Sequence, residues 1–344
     1  MPRSKIIGPQ GNLGRRNLAH NGDMQLAQRS TSVNNITVAG YYTCDRWRTA
    51  MSSAGTWTQT QETLAVTDPP FITNGHTKAL KLDCTTANGS LSASSHLQIQ
   101  YRVEGFDLQK LRTGTSDPST MTISFWIKAT KTGTNVFSVY QDEGGKQVGF
   151  AYTINASNTW EFKSITIPGN THDAIANDHT RGRQFTWYFA AGSQRTTGSL
   201  QSAWTNYSAG DEAPGQVNHA DDAANNIHIT GVQIEQGSLA TDFEHISRAE
   251  SLLNCQRYYS RIEYNIQGYP PINGYADENM HWPVTMRTTP SITRTGGTLG
   301  GTNGIVGTQT YNITNEGCRA ELQGNSNFGR MYEFAGVITA DAEV

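Results

Sequence analysis

Three pairs of adjacent carboxylates are the residues best suited to hydrolytic chemistry in this sequence. Glycoside hydrolysis needs two carboxyl groups about 5 to 10 Å apart across a groove. Neighbouring residues on a strand face opposite sides, and each pair lies in Gly-, Ala- or Pro-containing sequence that is typical of turns. The pairs are Asp142 with Glu143, Asp211 with Glu212, and Asp221 with Asp222. Because the chain also lacks a Gly-x-Ser-x-Gly motif, we predict that the protein is not an enzyme.

Exposed aromatic side chains are the second candidates, because aromatic rings stack on the apolar faces of sugars. Rings in loops or at strand edges are favoured over rings in alternating strands, where burial in the core is expected. The loop and edge candidates are Trp57, Tyr101, Trp187, Trp204 and Tyr207. We single out Trp204, Tyr207 and Trp57 for glycan stacking, although the loop sequence around Trp204 suits a packed loop anchor equally well.

The charge of the chain argues against nucleic-acid binding and draws attention to the first 16 residues. The net charge is −3 and the pI is about 6.3, whereas a nucleic-acid footprint needs a basic face. Residues 1–16 contain Arg3, Lys5, Arg15 and Arg16 and no acidic residue. This pattern predicts either an extended arm that attaches to a larger acidic assembly or a disordered, solvated tail.

Cysteine usage and the start of the chain indicate where the protein is made. Cys44, Cys84, Cys255 and Cys318 are widely spaced, with no Cys-x-x-Cys motif and no Cys/His cluster. We therefore predict buried thiols rather than a zinc site or a disulfide framework. The first residues lack the apolar run of a signal peptide, and no apolar stretch reaches the length of about 18 residues that spanning a bilayer needs. We expect synthesis in a cytoplasm and no membrane insertion.

Composition and periodicity predict an all-β protein. Hydrophobic residues make up 36% of the chain and charged residues 16%, with 34 glycines, which suits short strands joined by many turns. Strand-like runs occur from residues 42–48 onwards and end with residues 226–235, and residues 120–128 and 159–167 alternate. Because these runs show no βαβ rhythm, they predict an antiparallel sandwich.

A single convincing helix follows the sandwich. Ser247 and Glu250 form a capping box, which places the start of a short helix at Ser247. Residues 265–279 then form a Gly/Pro/Asn/Tyr-rich predicted loop, and strand-like pieces resume at residues 281–287. We predict a smaller C-terminal β module after the helix.

Several phrases of the sequence, in this order, resemble a jelly-roll module found in tail-fibre and virion proteins of marine bacteriophages. That module is itself similar to a carbohydrate-binding module. The resemblance covers roughly residues 17–290, and Asp242 departs from it, since proline is frequent at that position. The matching phrases are residues 17–29 (NLAHNGDMQLAQR), 42–47 (YTCDRW), 122–128 (TISFWIK), 158–160 with 165–168 (NTW and ITIP), 231–244 (GVQIEQGSLATDFE), 255–259 (CQRYY), 283–290 (PVTMRTTP) and 340–343 (ADAE).

The resemblance implies a jelly roll and a structural calcium ion between its first and last strands. Calcium takes oxygen ligands from carboxylates and backbone carbonyls. Asp23, Asp242 and Glu244 are the residues that the resemblance would bring together. The other interpretation is that Asp23 caps a turn and that Glu244 is a surface or salt-bridged residue. No other cofactor is expected.

An aromatic and proline patch follows the helix and is our candidate for contacts between subunits. It contains Tyr269, Tyr275 and Trp282. Phage fibres are commonly trimers, and closed symmetry is the rule for homo-oligomers. A homotrimer is therefore the favoured assembly.

Together these observations predict three segments and a virion protein. Residues 1–16 are the attachment arm, residues 17–245 the jelly roll, and residues 246–344 the helix with the C-terminal β module. The predicted function is host-surface attachment as a tail fibre, with other virion proteins and a host glycan as partners. A purely structural capsid fibre, knob or tail connector is the second hypothesis, and a glycan-degrading tail enzyme is the third.

Overall fold

The computed structural model describes residues 15–301, 305–324 and 329–343. The chain separates into two compact units, Met1–Ile246 and Ser247–Val344. We call them unit 1 and unit 2. The division lies one residue beyond the boundary that the sequence predicts. Arg3 and Lys5 of the predicted arm lie outside the described residues.

Unit 1 is built almost entirely from antiparallel strands. Its helices are short, and the longest has six residues. The described strands are β1 (Ser32–Ile36), β2 (Gly40–Tyr41), β3 (Arg48–Ser52), β4 (Thr56–Thr63), β5 (Lys78–Thr86), β6 (His96–Glu104), β7 (Met121–Ala129), β8 (Gly133–Gln141), β9 (Lys146–Ile154), β10 (Glu161–Ile167), β11 (Arg181–Ala191), β12 (Thr205–Asn206) and β13 (Asn226–Gln236), and the helices are α1 (Pro69–Asn74), α2 (Gly105–Leu108) and α3 (Ser193–Thr196).

The strands of unit 1 form two sheets, as the sandwich prediction requires. The six-stranded sheet has the order β1-β4-β5-β13-β7-β10, and the seven-stranded sheet has the order β12-β9-β8-β11-β6-β3-β2. The predicted fold class, an antiparallel β sandwich followed by a short helix and a smaller β module, is confirmed. Neighbouring strands come from distant parts of the sequence, so side chains far apart in the chain meet on one face.

The core of unit 1 is rich in large aromatic rings. Trp187 lies at its centre, with its ring centroid 5.0 Å from that of Phe137 and 5.7 Å from those of Phe125 and Trp47. Trp47, Phe125, Phe137 and Trp187 are fully buried. Rings of this size each remove a large apolar area from water, and this burial is the main force that holds the two sheets together.

One strand prediction in unit 1 is wrong. Residues 42–47 form a turn, and the strand begins only at Arg48. Arg46 has a φ of 75°, which no strand allows. The indole of Trp47 donates to the carbonyl of Asn21 at 2.9 Å. Apolar residues here fill the end of the core and do not alternate across a sheet, which the local pattern cannot reveal.

Glu244, near the end of unit 1, joins the start of the described chain to the last residues of that unit. Its Oε2 accepts hydrogen bonds from the main-chain nitrogens of Arg16 and Asn17, both at 2.8 Å. The guanidinium of Arg16 donates to Thr241 Oγ1 at 3.1 Å and to the Asp242 carbonyl at 3.3 Å. Arg16 therefore contacts its own unit and is not part of an extended arm, while its role in virion attachment stays a prediction. Arg15 is exposed.

Unit 2 contains one helix and seven described strands in two small sheets. The first sheet has the order β14-β20-β16, with β17 also paired to β20, and the second has the order β15-β19-β18. The elements are α4 (Arg248–Gln256), β14 (Tyr259–Gly268), β15 (Tyr275–His281), β16 (Ser291–Thr295), β17 (Thr298–Gly301), β18 (Ile305–Tyr311), β19 (Gly317–Gly324) and β20 (Met331–Asp341).

The helix start in unit 2 is where the sequence places it. Ser247 is the N-cap, and its hydroxyl accepts a hydrogen bond from the Glu250 nitrogen at 3.2 Å. The predicted loop at residues 265–279 and strand at 281–287 are both wrong, because β14 and β15 occupy most of the first range and irregular chain follows His281. Cross-strand pairing with β20 and β19 overrides the local preference of the Gly- and Asn-rich sequence.

The residues predicted to contact other subunits are divided by the structure. Tyr269 and Tyr275 are exposed, at 63% and 52%. Trp282 is buried in the core of unit 2, and its indole donates to the Thr314 carbonyl at 3.0 Å. Its assignment to a subunit contact is therefore corrected, because the ring is already covered by its own unit. The trimer stays a prediction.

All four cysteines are buried as thiols. Burial raises the pKa of Cys44 to about 12 and the pKa of Cys84 to about 11. Both thiols therefore stay protonated and unreactive near neutral pH. Within the described residues, no helix has the length and apolar character needed to cross a membrane.

Candidate functional site

The outer face of the seven-stranded sheet carries a set of hydrogen-bonding side chains. In β11, Phe185, Trp187 and Phe189 point into the core, so Gln184 and Thr186 point outward. Gln184 pairs in register with Tyr140 of β8, and Tyr140 with Gln147 of β9. The outward positions of three neighbouring strands thus form a row of amide and hydroxyl groups.

This face forms the floor of a groove with a cavity volume of about 270 Å³. We call this cavity the groove. Its floor and walls are Ser138, Val139, Tyr140, Gln147, Gln184, Thr186, Tyr188, Tyr207 and Glu212. Most of these side chains can both donate and accept hydrogen bonds. Tyr188 is buried, and this burial raises the pKa of its phenol well above the ordinary value.

One wall of the groove is the segment that follows α3. The Tyr207 nitrogen donates to the Gly145 carbonyl at 2.8 Å, and the Gln147 amide donates to the Ser208 carbonyl at 3.1 Å. Arg195 forms an ion pair with Glu212, and the Ala213 nitrogen donates to the Arg195 carbonyl at 2.8 Å. These contacts fix the wall against the sheet.

Tyr207 presents an aromatic ring at the rim of the groove. The side chain is 45% exposed. Its ring centroid lies 5.4 Å from that of Tyr140, with 78° between the ring planes. The phenol donates to Glu212 Oε1 at 3.1 Å, and partial burial followed by the nearby Glu212 carboxylate raises the pKa of Tyr207. The ring is therefore neutral, oriented and open to solvent on one side.

The other aromatic candidates do not lie in the groove. Trp57, Tyr101 and Trp187 are fully buried, so their assignment as exposed rings is wrong. Trp57 donates through its indole to the Ala54 carbonyl at 2.7 Å. Strand alternation turns these rings toward the core, and the sequence alone does not show which side of a strand is covered.

Trp204 is a loop anchor, which is the second interpretation that its sequence allowed. It is 6% exposed, so it is corrected from a glycan-stacking residue. Its indole donates to the Pro168 carbonyl at 2.7 Å, and the guanidinium carbon of Arg183 lies 4.7 Å from its ring centroid. Because Trp204 directly precedes β12, it holds the start of the groove wall.

The acidic pairs are all engaged in structural contacts. Asp142 forms an ion pair with Arg181, and Glu143 Oε1 accepts from the Ala176 nitrogen at 2.9 Å. Asp211 Oδ1 accepts from the Ser199 nitrogen at 2.7 Å. Lys131 pairs with Asp221, and Asp222 Oδ1 accepts from the Ala224 nitrogen at 2.9 Å. Each carboxylate stabilises a loop, as expected for turn residues.

The predicted calcium ligands are not gathered into a site. In the described parts of the chain, no group of three or more His, Cys, Asp or Glu residues is placed to hold a metal ion. Asp23 lies in a turn before β1 rather than in a strand, Asp242 is exposed, and Glu244 binds the backbone of residues 16 and 17. The interpretation of Glu244 as a bonded structural residue is the one that the geometry supports.

A second cavity, of about 350 Å³, lies on the six-stranded sheet. Trp126, Phe162, His76, Phe243 and Asp242 are among the residues that line it. Burial lowers the pKa of His76 to about 4, so the imidazole is neutral near pH 7. This cavity is mostly apolar and lacks the row of amide and hydroxyl groups that the groove has.

Comparisons with known proteins reach only solved structures. No protein-family model and no curated protein matches the chain. The enzymatically active domain of tailspike protein 4 from bacteriophage CBA120 matches with a TM-score of 0.31 at 13% identity, over 64% of this chain and 21% of the tailspike. This chain therefore spans about a fifth of that protein.

Several carbohydrate-binding modules also match. TmCBM61, solved with β-1,4-galactotriose, matches with a TM-score of 0.31 at 13% identity, over 64% of this chain and 99% of that one. The family 11 module of Clostridium thermocellum, solved with a mixed-linked tetrasaccharide, matches with a TM-score of 0.28 at 10% identity, over 60% of this chain and 100% of that one.

Proposed function

We propose that unit 1 is a non-catalytic glycan-binding module and that the groove is its binding site. The observation that carries this proposal is the exposed ring of Tyr207 above a floor of amide and hydroxyl groups. A pyranose ring has apolar C–H faces and a rim of hydroxyl groups. An aromatic ring can cover the first, and the partly exposed hydroxyl and amide groups of Ser138, Tyr140 and Gln184 can hydrogen-bond to the second.

The groove suits binding better than catalysis. The carboxylate on its wall, Glu212, is held by Arg195 and by the Tyr207 phenol. General acid catalysis on a glycoside needs a second carboxyl group across the bond. The residues that line the groove include Glu212 and no second acid.

A glycan-array screen with the full chain, followed by calorimetric titration of the glycans that bind, tests this proposal. Tyr207→Ala removes the ring and should weaken binding by roughly tenfold or more, which corresponds to about 1.4 kcal/mol. Tyr207→Phe keeps the ring, loses only the bond to Glu212, and should stay within a few-fold of wild type. A wild-type chain that binds no glycan, or a Tyr207→Ala variant that binds as wild type does, would overturn the proposal.

The finer role that we propose is host-surface attachment by a phage particle, as part of a homotrimeric tail fibre. Its support is the series of virion-like phrases between residues 17 and 290, and it includes attachment of the N-terminal segment to other virion proteins. Electron microscopy of particles labelled with an antibody to unit 1 tests it. Antibody at the end of a tail appendage supports the role, whereas antibody at the capsid or along the tail tube favours a purely structural component.

A further inference from the structure

Three arginines lie beside the groove on the same outer face of the seven-stranded sheet. Arg48 comes from β3, Arg102 from β6 and Arg181 from β11, and each is half-buried. Two glutamines connect them. Arg48 and Arg102 both donate to Gln100 Oε1, at 2.8 and 3.3 Å. Arg102 and Arg181 both donate to Gln184 Oε1, at 2.9 and 3.0 Å. We call these five residues the arginine ladder.

The ladder brings positive charges together with few negative charges to balance them. Arg181 is paired with Asp142, and the only hydrogen bond of the Arg48 side chain to a described residue is to the neutral Gln100 amide. No described carboxylate forms an ion pair with Arg48. Burial, and then the charges of Arg48 and Arg181, lower the pKa of Arg102, while Tyr41 and Asp142 act in the opposite direction. Because Arg48 is held by a neutral acceptor next to a second guanidinium, an external anion at Arg48 would lower the electrostatic energy.

The nearby acidic groups that the structure describes do not pair with Arg48. Glu212 is engaged by Arg195 on the far wall of the groove, and Asp142 already pairs with Arg181. Glu104 is buried at the end of β6, opposite Arg181 in register. A guanidinium has five N–H donors in a planar fork that matches carboxylate and sulfate oxygens. Arg48 uses one nitrogen within the chain, so the others can bind a ligand.

The ladder is continuous with the groove. Gln184 belongs to both, and the guanidinium carbon of Arg181 lies 5.8 Å from the Tyr140 ring centroid. Arg48 is two strands away from β11, which is about 10 Å at the usual strand spacing. A chain of sugars that stacks on Tyr207 and crosses the floor therefore reaches the arginines.

We propose that the groove selects acidic polysaccharides, with a carboxylate or sulfate group bound at Arg48 and Arg102. This inference rests on the proposed glycan binding and adds the charge of the ligand to it. Such a contact predicts selectivity over neutral glycans and sensitivity to salt, because charges at a half-exposed site are screened.

The test compares matched acidic and neutral glycans on the full chain. Polygalacturonate is set against its methyl ester, and dextran sulfate against dextran, so that the carboxylate and sulfate sources are separated. Wild type should bind at least one acidic member at least tenfold more tightly than its neutral counterpart, and this ratio should fall between 50 and 500 mM salt, a range of about 14 to 4 Å in screening length. Arg48→Gln should abolish most of the ratio, and Arg48→Lys should restore part of it.

Arg261→Gln is the matched control, because it removes the same charge from an exposed ion pair with Glu263 in unit 2. It should leave the ratio unchanged. If each acidic glycan binds as tightly as its neutral partner, and Tyr207→Ala weakens the binding of both, the inference on charge is overturned and the proposed glycan binding still holds. Absence of all glycan binding overturns both. A single-stranded DNA of equal charge is also tested. If it binds as tightly as the acidic glycan, and Arg48→Gln abolishes that binding, the assignment to a polysaccharide is overturned.

Discussion

The ring of Tyr207 lies edge-on to the ring of Tyr140, with 5.4 Å between their centroids. Tyr140 comes from β8 and Tyr207 from the segment after β12, so the contact joins a wall of the groove to its floor. Tyr140 also lies under the Arg181 guanidinium at 5.8 Å. This contact orients the aromatic part of the groove and links it to the arginine ladder.

Removal of the Tyr140 side chain should weaken glycan binding. Tyr140→Ala takes away the edge contact that orients Tyr207 and part of the floor, and we expect a loss of roughly tenfold, or about 1.4 kcal/mol. Calorimetric titration with the best glycan from the array measures it. Phe162→Ala, which removes a 47% exposed ring from the other sheet, is the control and should bind as wild type does. If Phe162→Ala weakens binding and Tyr140→Ala does not, the glycan binds at the second cavity and not in the groove.

Trp57→Phe should lower stability and leave glycan affinity unchanged. The variant keeps a buried ring but loses the indole hydrogen bond to the Ala54 carbonyl, which leaves a buried acceptor unpaired at a cost of about 1 to 3 kcal/mol. Urea unfolding measures the loss, and titration measures the affinity. If affinity falls while the free energy of unfolding stays constant, Trp57 contacts the ligand and the core assignment is wrong.

Glu244→Ala should lower the free energy of unfolding of unit 1 by about 1 to 3 kcal/mol, since two main-chain nitrogens lose a charged acceptor. Thermal unfolding measures the effect. Glu278→Ala, at an exposed position of β15 in unit 2, is the control.

Because the predicted calcium ligands are not grouped, wild type should melt at the same temperature in calcium and in EDTA. A clear rise with calcium would restore the calcium site.

Stability should fall as the pH drops below about 6.5, partly through His219. Burial lowers the pKa of His219 to about 3, and its Nε2 lies 2.8 Å from Asn135 Oδ1. The unfolded chain binds a proton near pH 6.5 while the folded chain does not, so each pH unit below 6.5 costs up to about 1.4 kcal/mol. His219→Gln should flatten the curve of unfolding free energy against pH between about pH 4 and 6.5. If the curves of wild type and His219→Gln run parallel, His219 does not cause the loss of stability at low pH.

Glu333→Gln should destabilise unit 2 by about 3 to 5 kcal/mol. The Glu333 side chain is fully buried, pairs with Arg294 and accepts from the Gly297 nitrogen at 2.9 Å. Glu263→Gln breaks the exposed pair with Arg261 and is the matched control, with a change below about 1 kcal/mol. Hydrogen exchange of the unit 2 amides measures the loss of stability in each of the two variants. Equal effects from both variants would contradict a special role for burial.

Local patterns predicted elements well where apolar and polar residues alternate in the sequence or where a helix has its own capping residues. The alternating sequence at residues 120–128 corresponds to β7, Met121–Ala129, and Ser247 caps α4 as its capping box requires. Residues 42–48 failed because Trp47 and Arg46 fill the end of the core from a turn. Their packing depends on strands far away in the sequence, which a local window does not contain.

The candidate site was predicted only in part, through Tyr207. Gln184 and Thr186 alternate with Phe185 and Trp187 in the sequence, and this signal could have located a polar outer face. The arginine ladder carried no such signal, because Arg48, Arg102 and Arg181 belong to strands that are adjacent only in the folded sheet.

The sequence by itself determined the all-β class, the helix after the sandwich and the polar character of alternate strand positions, because these depend on side-chain periods of a few residues. Tertiary structure alone decided which strands are neighbours, which rings are covered and which charges meet. Trp57 and Tyr207 are both aromatic residues in polar sequence, yet one fills the core and the other borders the groove. That difference arises from long-range pairing and packing, whose free energy depends on the whole chain rather than on local propensity.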